Sequence, residues 1–275
     1  MSTFKERCLS LRRKGYTLPE IVRLTGKPKT SIYFHIRGIA LPQEKLARSR
    51  LVSGARIRLY AIARKGKSVR EFERITTWEP SSVLLLGHLL FDGEIRRGVC
   101  SYNNRSKALV ERFAKLVEMI YAYPPSLYRN EDTGVTRIAY FNVELSAHLK
   151  ERALALLRVI HSLPLDAKRE FLRSFFDDEG CMDFSFPKRR KIRGYQKEVK
   201  ILAIVRRLLG EFGIEAKIVK PNEVVLTGKE NLLRFEKEIN FSPGVYINGN
   251  RSNSRWKIHL EKRALLRMAI ESYRT

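Results

Sequence analysis

Cysteine is scarce in this chain: Cys8, Cys100 and Cys181 stand far apart, with no CxxC pair among them. An odd number of isolated thiols gives neither a disulfide framework nor zinc-ligand spacing. Long hydrophobic runs are also missing. None approaches the ~20 residues needed to cross a bilayer, so no membrane contact is expected. The start, Met1-Ser2-Thr3-Phe4-Lys5-Glu6-Arg7, lacks the apolar centre of a signal peptide, which points to an intracellular, cytoplasmic protein without a targeting signal. Self-splicing termini are not evident, since Met1-Ser2 begins the chain and Arg274-Thr275 ends it, and a free-standing protein is expected. Glutamine occurs only as Gln43 and Gln196 beside abundant Arg, Lys and Glu, a bias seen in thermophilic proteins.

Acidic residues are the other shortage. There are 29 Asp and Glu against 54 Lys and Arg, a formal charge of +25. A field this positive favours a polyanion, and nucleic acid is the first candidate. The excess concentrates at the front, where residues 1–75 hold 19 basic and 5 acidic side chains. At 275 residues and 44% hydrophobic, the chain can bury a real core and divide into two or three units.

Residues 1–40 read as a compact all-helical unit. Phe4, Cys8 and Leu11 have helical spacing, and Gly15 stops the helix. Thr17 can cap a second helix with Pro19 and Glu20 in its first turn, and Gly26 ends it. A third helix is expected from Lys29 to Ile36. Short helix, glycine turn and polar third helix resemble a helix-turn-helix, whose last helix enters the major groove. That resemblance assigns DNA contacts to Lys29, Thr30, Ser31, Tyr33, His35 and Arg37. Residues 41–79 then form a basic connector whose spaced apolar residues suggest helical pieces.

Two segments beyond the connector share one pattern, an apolar helix ending in an acid and then glycine. The first is Leu85-Leu86-Gly87-His88-Leu89-Leu90-Phe91-Asp92-Gly93, entered through Trp78-Glu79-Pro80-Ser81-Ser82 with a serine as cap. The second is Leu172-Arg173-Ser174-Phe175-Phe176-Asp177-Asp178-Glu179-Gly180. In each, a small residue (Gly87, Ser174) lies five positions before the terminal acid (Asp92, Glu179). Two copies in register indicate a duplicated half-domain. Helices packed through their small residues bring two carboxylates to one end of the seam. Carboxylates at helix C-termini are disfavoured by the helix dipole, so stability alone explains them poorly.

After Gly93 the sequence reads as a strand over 94–102, a helix over 106–121, strands over 126–129 and 135–143, and a helix over 145–160. The second copy reads as a strand over 181–186, a basic loop over 188–191 and a strand over 192–195. A helix over 198–212, strands over 216–219 and 223–226, and helices over 230–239 and 255–273 follow. Each half is approximately αββαββα, with the first copy one clear strand short.

The paired motifs resemble those of the LAGLIDADG homing endonucleases, with Leu226-Thr227-Gly228, Leu232-Leu233, Phe235 and Ile239-Asn240-Phe241 resembling the ending of the family's second copy. The resemblance implies an α+β fold of two pseudo-symmetric half-domains, 80–164 and 165–275, whose antiparallel sheets form a saddle over double-stranded DNA. It implies a monomer on DNA and a site-specific double-strand cut linked to intron homing. It assigns Asp92 and Glu179 as catalytic, metal-binding carboxylates, joined by the main-chain carbonyls of Phe91 and Asp178. Mg²⁺ suits such a site, with other divalent cations as substitutes, because it takes few protein ligands beside water and phosphate oxygens. The family's basic residue near the site falls on Lys257. His88 is expected to pack in the seam, and Asp177 and Asp178 to pack, cap or face solvent.

Base reading falls to the strand faces and loops: Arg96, Tyr102, Asn103, Asn104 and Arg105 in the first copy, Arg189, Arg190, Arg193, Tyr195 and Gln196 in the second. Arg, Asn and Gln can pair bidentately with base edges in the major groove. The same fold and charge also suit a DNA-binding transcriptional regulator without nuclease activity, or a maturase that binds intron RNA.

Overall fold

The computed structural model describes residues 3–64, 71–185, 189–247 and 260–273, which fall into two compact units, 1–69 and 70–275. The first unit holds α1 (Phe4–Arg13), α2 (Leu18–Thr25), α3 (Lys29–Ile36) and α4 (Gln43–Arg64). Thr3 with Glu6 and Thr17 with Glu20 form capping boxes that fix the starts of α1 and α2. Gly26 ends α2 in the left-handed conformation, φ 64°. Cys8, Ile21, Ile32 and Ile36 make a small separate core. The connector is more regular than expected, since α4 runs unbroken for 22 residues. Phe72, Ile75 and Trp78 pack on the core of the second unit, so its boundary falls earlier than residue 80.

The second unit is α+β and internally duplicated. Its first half comprises α5 (Pro80–Phe91), β1 (Gly93–Arg96), β2 (Val99–Asn104), α6 (Lys107–Tyr121), β3 (Ser126–Asn130), β4 (Val135–Tyr140) and α7 (Val143–Val159). Its second half comprises α8 (Leu165–Asp178), β5 (Gly180–Ser185), β6 (Arg189–Tyr195), α9 (Val199–Glu211), β7 (Lys217–Val219), β8 (Glu223–Thr227), α10 (Lys229–Glu238) and α11 (Lys262–Glu271). Two antiparallel sheets repeat one order, β1-β2-β4-β3 and β5-β6-β8-β7. Among the described residues no helix is long and apolar enough to cross a membrane.

Several local expectations change. The single strand read over 94–102 is a hairpin, turned at Gly98 with φ 82°, which supplies the strand that the first copy had lacked. The basic loop over 188–191 is largely strand, because residues 189–191 pair with Asp183–Ser185 of β5. Glu79 caps α5 in place of a serine, with Pro80 as its first residue, where a missing N–H costs nothing. The last helix begins at Lys262, and residues 255–259 of the longer helix expected there lie outside the described residues.

Helices α5 and α8 are the centre of the unit. Ser82 to Leu89 are all buried, as befits a helix covered on every side. A Cβ placed on Gly87 would sit 2.0 Å from Ser174 Oγ and 2.8 Å from Ser174 Cβ, so the helices cross at these small residues. The glycines after the acids are equally constrained. A Cβ on Gly93 would lie 2.5 Å from Leu89 O, and one on Gly180 2.5 Å from Phe176 O. Each chain therefore turns from helix into strand directly beneath its own last turn, leaving the acid at the corner.

Candidate functional site

Asp92 and Glu179 occupy equivalent C-cap positions, with φ/ψ of −98°/4° and −102°/−10°. The first strand pair holds each corner the same way: Asn103 N donates to Asp92 O at 3.5 Å, and Tyr195 N to Glu179 O at 3.2 Å. Burial, then the charges of Asp178 and Glu179, push the Asp92 carboxyl up to about 7, against the opposing Lys262 and His88. Burial, then the charge of Asp178, raises Glu179 to about 7, opposed by Lys262. The acids thus share one electrostatic environment at one end of the seam.

Their neighbours His88, Asp177 and Asp178 pack in the seam, the first as expected and the other two in one of the expected roles, and all three do so through hydrogen bonds. The Asp178 side chain is neither a cap nor a surface group. His88 Nδ1 donates to its Oδ2 at 2.8 Å and Tyr102 OH to its Oδ1 at 2.6 Å, with the His88 and Asp178 side chains at 0% exposure. Burial works against the charged His88 ring, but the Asp178 carboxylate, its hydrogen bond and Asp177 outweigh it and raise the pKa. Asp177 is buried too. It accepts from Ser242 N at 2.8 Å and from Arg112 Nη1 of α6 at 3.4 Å, a second polar link across the seam. Phe91, the counterpart of Asp178, sets its ring edge-on to Phe171 and Phe175, with centroids 5.6 and 5.2 Å apart.

A buried lysine that sequence reasoning missed closes the site. Lys262 Nζ donates to Phe176 O at 3.2 Å and Asp177 O at 2.7 Å, where the α8 dipole favours a cation. Burial lowers its pKa, opposed by Asp177, Cys181, Asp178 and Asp92. A base at the first position of α11 is unfavourable for that helix, the one sequence signal of another task. Lys257 lies outside the described residues.

The residues expected to read bases divide. Tyr102 is buried, stacked on Phe113 at 4.6 Å and bonded to Asp178, so it cannot meet DNA. Asn104 turns to the acid instead, donating to Asp92 Oδ2 at 2.8 Å. Arg190 points inward, because it pairs with the buried Phe184; its guanidinium donates to Ser272 O at 2.8 Å and lies over Tyr273. The outer face of the second sheet carries Arg189, Lys191, Arg193 and Tyr195 from β6 and Lys217 from β7, with Asp183 and Glu223 among them. Arg193 is held by Glu223 at 3.2 Å. Tyr195 is exposed and Gln196 half-buried. In the first sheet Arg96 is exposed beside Glu94, Asn103 is half-exposed, and exposed Arg105 donates to Thr133 O at 3.1 Å.

In the first unit, Lys29, Thr30, Ser31, Tyr33 and Arg37 are exposed on or just after α3. The Arg37 guanidinium lies 4.7 Å from the centroid of exposed Phe34. His35 is half-buried, edge-on to Phe4 at 5.5 Å.

Two α+β halves, each with an antiparallel four-stranded sheet and joined through acid-tipped helices, are the architecture that the paired motifs predict. Residues 166–240, from α8 through α10, match the family model of the LAGLIDADG-like domain. The chain is similar to the N-terminal LAGLIDADG domain of DUF199/WhiA, at 19% identity over 61% of this chain and 86% of that one, TM-score 0.47. It is similar to mesophilic variants of the homing endonuclease I-DmoI, at 16% identity over 60% of this chain and 94% of that one, TM-score 0.47. I-DmoI in complex with DNA and Ca gives 16% identity over 60% and 91%, TM-score 0.46. No curated protein sequence matches the chain.

A divalent cation fits the donor set. Asp178 and Asp177 are occupied by His88, Tyr102, Ser242 and Arg112, which leaves Asp92 and Glu179 as the two carboxylates at the corner. Among the described residues no cluster of three or more His, Cys, Asp or Glu forms a full protein ligand shell. Two carboxylates with room for water and phosphate oxygens suit Mg²⁺ better than a metal that needs a complete cage.

Proposed function

We propose that this protein is a site-specific, Mg²⁺-dependent double-strand DNA endonuclease of the LAGLIDADG type, acting as a monomer on DNA. One observation carries the reading: two carboxylates stand in the same backbone conformation at the same end of a close-packed helix pair, each raised to about 7 by burial and then by the charge of Asp178. A protein that only bound DNA would gain nothing from two half-buried acids gathered at one corner. Asp92 and Glu179 would hold Mg²⁺ or a substitute divalent cation, which supplies charge neutralisation at the scissile phosphate and activation of the attacking water. Attack of water on phosphorus breaks the bond to the 3′ oxygen and leaves a 5′-phosphate and a 3′-hydroxyl. Lys262 favours the ionised form of both acids and fixes the last turn of α8. The basic outer face of the second sheet supplies phosphate contacts, and any base reading comes from the exposed side chains around it.

The first unit extends the recognised site as a helix-turn-helix reader, with exposed Lys29, Thr30, Ser31, Tyr33 and Arg37 on or just after α3. That second reader also favours the rival reading, a regulator that binds an operator without cutting it. The test is incubation with a randomised duplex library and Mg²⁺. Defined double-strand cuts that vanish in Asp92→Asn with Glu179→Gln support the endonuclease, and selective binding without cuts supports the regulator. Splicing stimulation of an intron RNA would mark the maturase.

A further inference from the structure

The duplication lets each side chain of one half be compared with its partner in the other. Tyr102 pairs with the motif glycine Gly93, and Gly194 pairs with Gly180. Tyr102 therefore corresponds to Gly194, and Asn104 to Gln196. In the motifs, His88 corresponds to Phe175 and Phe91 to Asp178. The seam is thus unequal in chemistry on its two sides. On one, Asp178 crosses to His88 and Tyr102. On the other, Phe91 crosses to Phe171 and Phe175, and the Phe175 ring fills the space where a Cβ on Gly194 would lie 2.4 Å away.

The polar side leads to one acid. Tyr102 OH donates to Asp178, so toward Asn104 it can only accept, and Asn104 Nδ2 stands 3.1 Å from it. Asn104 Oδ1 accepts from Ser106 N at 2.9 Å. Together these partners fix which end of the amide faces the corner, and the amino end reaches Asp92 Oδ2 at 2.8 Å. Nothing comparable reaches Glu179. Gln196 turns its Oε1 to Glu198 N at 3.4 Å, and among the described residues no side chain hydrogen-bonds to the Glu179 carboxylate. A buried network holds its geometry more tightly than one exposed bond, and this one is anchored in the opposite half.

We infer that Tyr102 is a positioning residue for Asp92 and not for Glu179, so that the two acids act unequally and one DNA strand depends on the seam network while the other does not. The inference deepens the endonuclease reading and rests on it for its strand assignment.

Tyr102→Phe removes the hydroxyl and keeps the ring that stacks on Phe113. The substrate is a supercoiled plasmid carrying a cut site recovered from the randomised library. The variant is expected to slow one strand's cut about tenfold, the worth of a hydrogen bond to a charged group, and to accumulate nicked circles broken on the other strand. The slowed strand is the one spared by Asp92→Asn. In Glu179→Gln protein, Tyr102→Phe slows the remaining cut about tenfold; in Asp92→Asn protein it leaves the remaining cut unchanged. Asn104→Leu, at a half-buried position, is the second variant and gives the same strand bias should Tyr102→Phe fail to fold.

A readout without cleavage separates this inference from the function it rests on. Mn²⁺ binding, followed by the electron paramagnetic signal of the free ion, is expected to weaken several-fold with Tyr102→Phe in Glu179→Gln protein and to stay unchanged in Asp92→Asn protein. If that holds and wild type never cuts, the endonuclease reading falls and the positioning role stands. If wild type cuts but both strands slow alike, the positioning role falls and the endonuclease stands. Equal Mn²⁺ effects in both backgrounds, or none in either, also overturn the inference.

Discussion

Gly87→Ala is the sharpest perturbation of the seam. The added methyl would meet Ser174 Oγ at 2.0 Å and Ser174 Cβ at 2.8 Å. Rotating the hydroxyl relieves the first contact at the expense of its 2.7 Å bond to Phe171 O, but no rotation moves Cβ. Restoring an ordinary carbon contact of ~3.5 Å requires α5 and α8 to part by about 0.7 Å. Overpacking of this kind costs about 1–3 kcal/mol, and a contact this short belongs at the upper end. Alanine in place of a mid-helix glycine returns about 1 kcal/mol, so the net loss is about 2 kcal/mol. For a unit of this size that lowers Tm by about 4–8 °C. Urea denaturation followed by circular dichroism measures it, with Ser174→Gly and the double variant completing a cycle. Moving the small residue across the seam should recover about 1–3 kcal/mol relative to the sum of the single changes. Additivity within about 0.5 kcal/mol would refute a crossing at these two residues.

Other outcomes follow from the same geometry. Asp92 is raised from 3.8 to about 7, so below pH about 4 both folded and unfolded chains keep its proton. Between these values the unfolded chain releases it first, and folded stability falls as pH rises; Asp92→Asn should leave Tm unchanged near pH 4 and raise it near pH 8. Lys262→Met leaves two buried carbonyls without their donor and should cost about 2 kcal/mol. Because Lys262 opposes the raised pKa of both acids, carboxyl-carbon NMR should show Asp92 and Glu179 titrating higher in that variant. In the first unit, Lys29→Ala should weaken DNA binding and reduce the salt dependence by about one counterion.

The acids and the small residues of the seam are legible because the motif repeats on one helical register, and each helix closes on an acid and a glycine. What stayed hidden depended on distance in sequence or on exposure. The β1–β2 turn escaped because Arg97-Gly98 interrupts only a short mixed run. Residues 189–191 look like a solvated loop, since their charges belong on the open face of a strand. The bond from His88 to Asp178 spans 90 positions, and nothing near either residue announces it. Tyr102 and Arg190 have the chemistry of DNA readers, and only the strand register turns them inward. Lys262 is one of four Lys and Arg residues between 255 and 263, and only its burial against the last carbonyls of α8 sets it apart.

The proposed endonuclease needs both corner acids and a divalent cation to cut both strands. The most direct measurement is cleavage of the duplex library with and without Mg²⁺, by wild type and by Asp92→Asn with Glu179→Gln. Double-strand cuts at defined sequences that require Mg²⁺ and disappear in the double variant are the predicted result. Cuts that persist in that variant, or their absence from wild-type protein that binds the same library selectively, would contradict it.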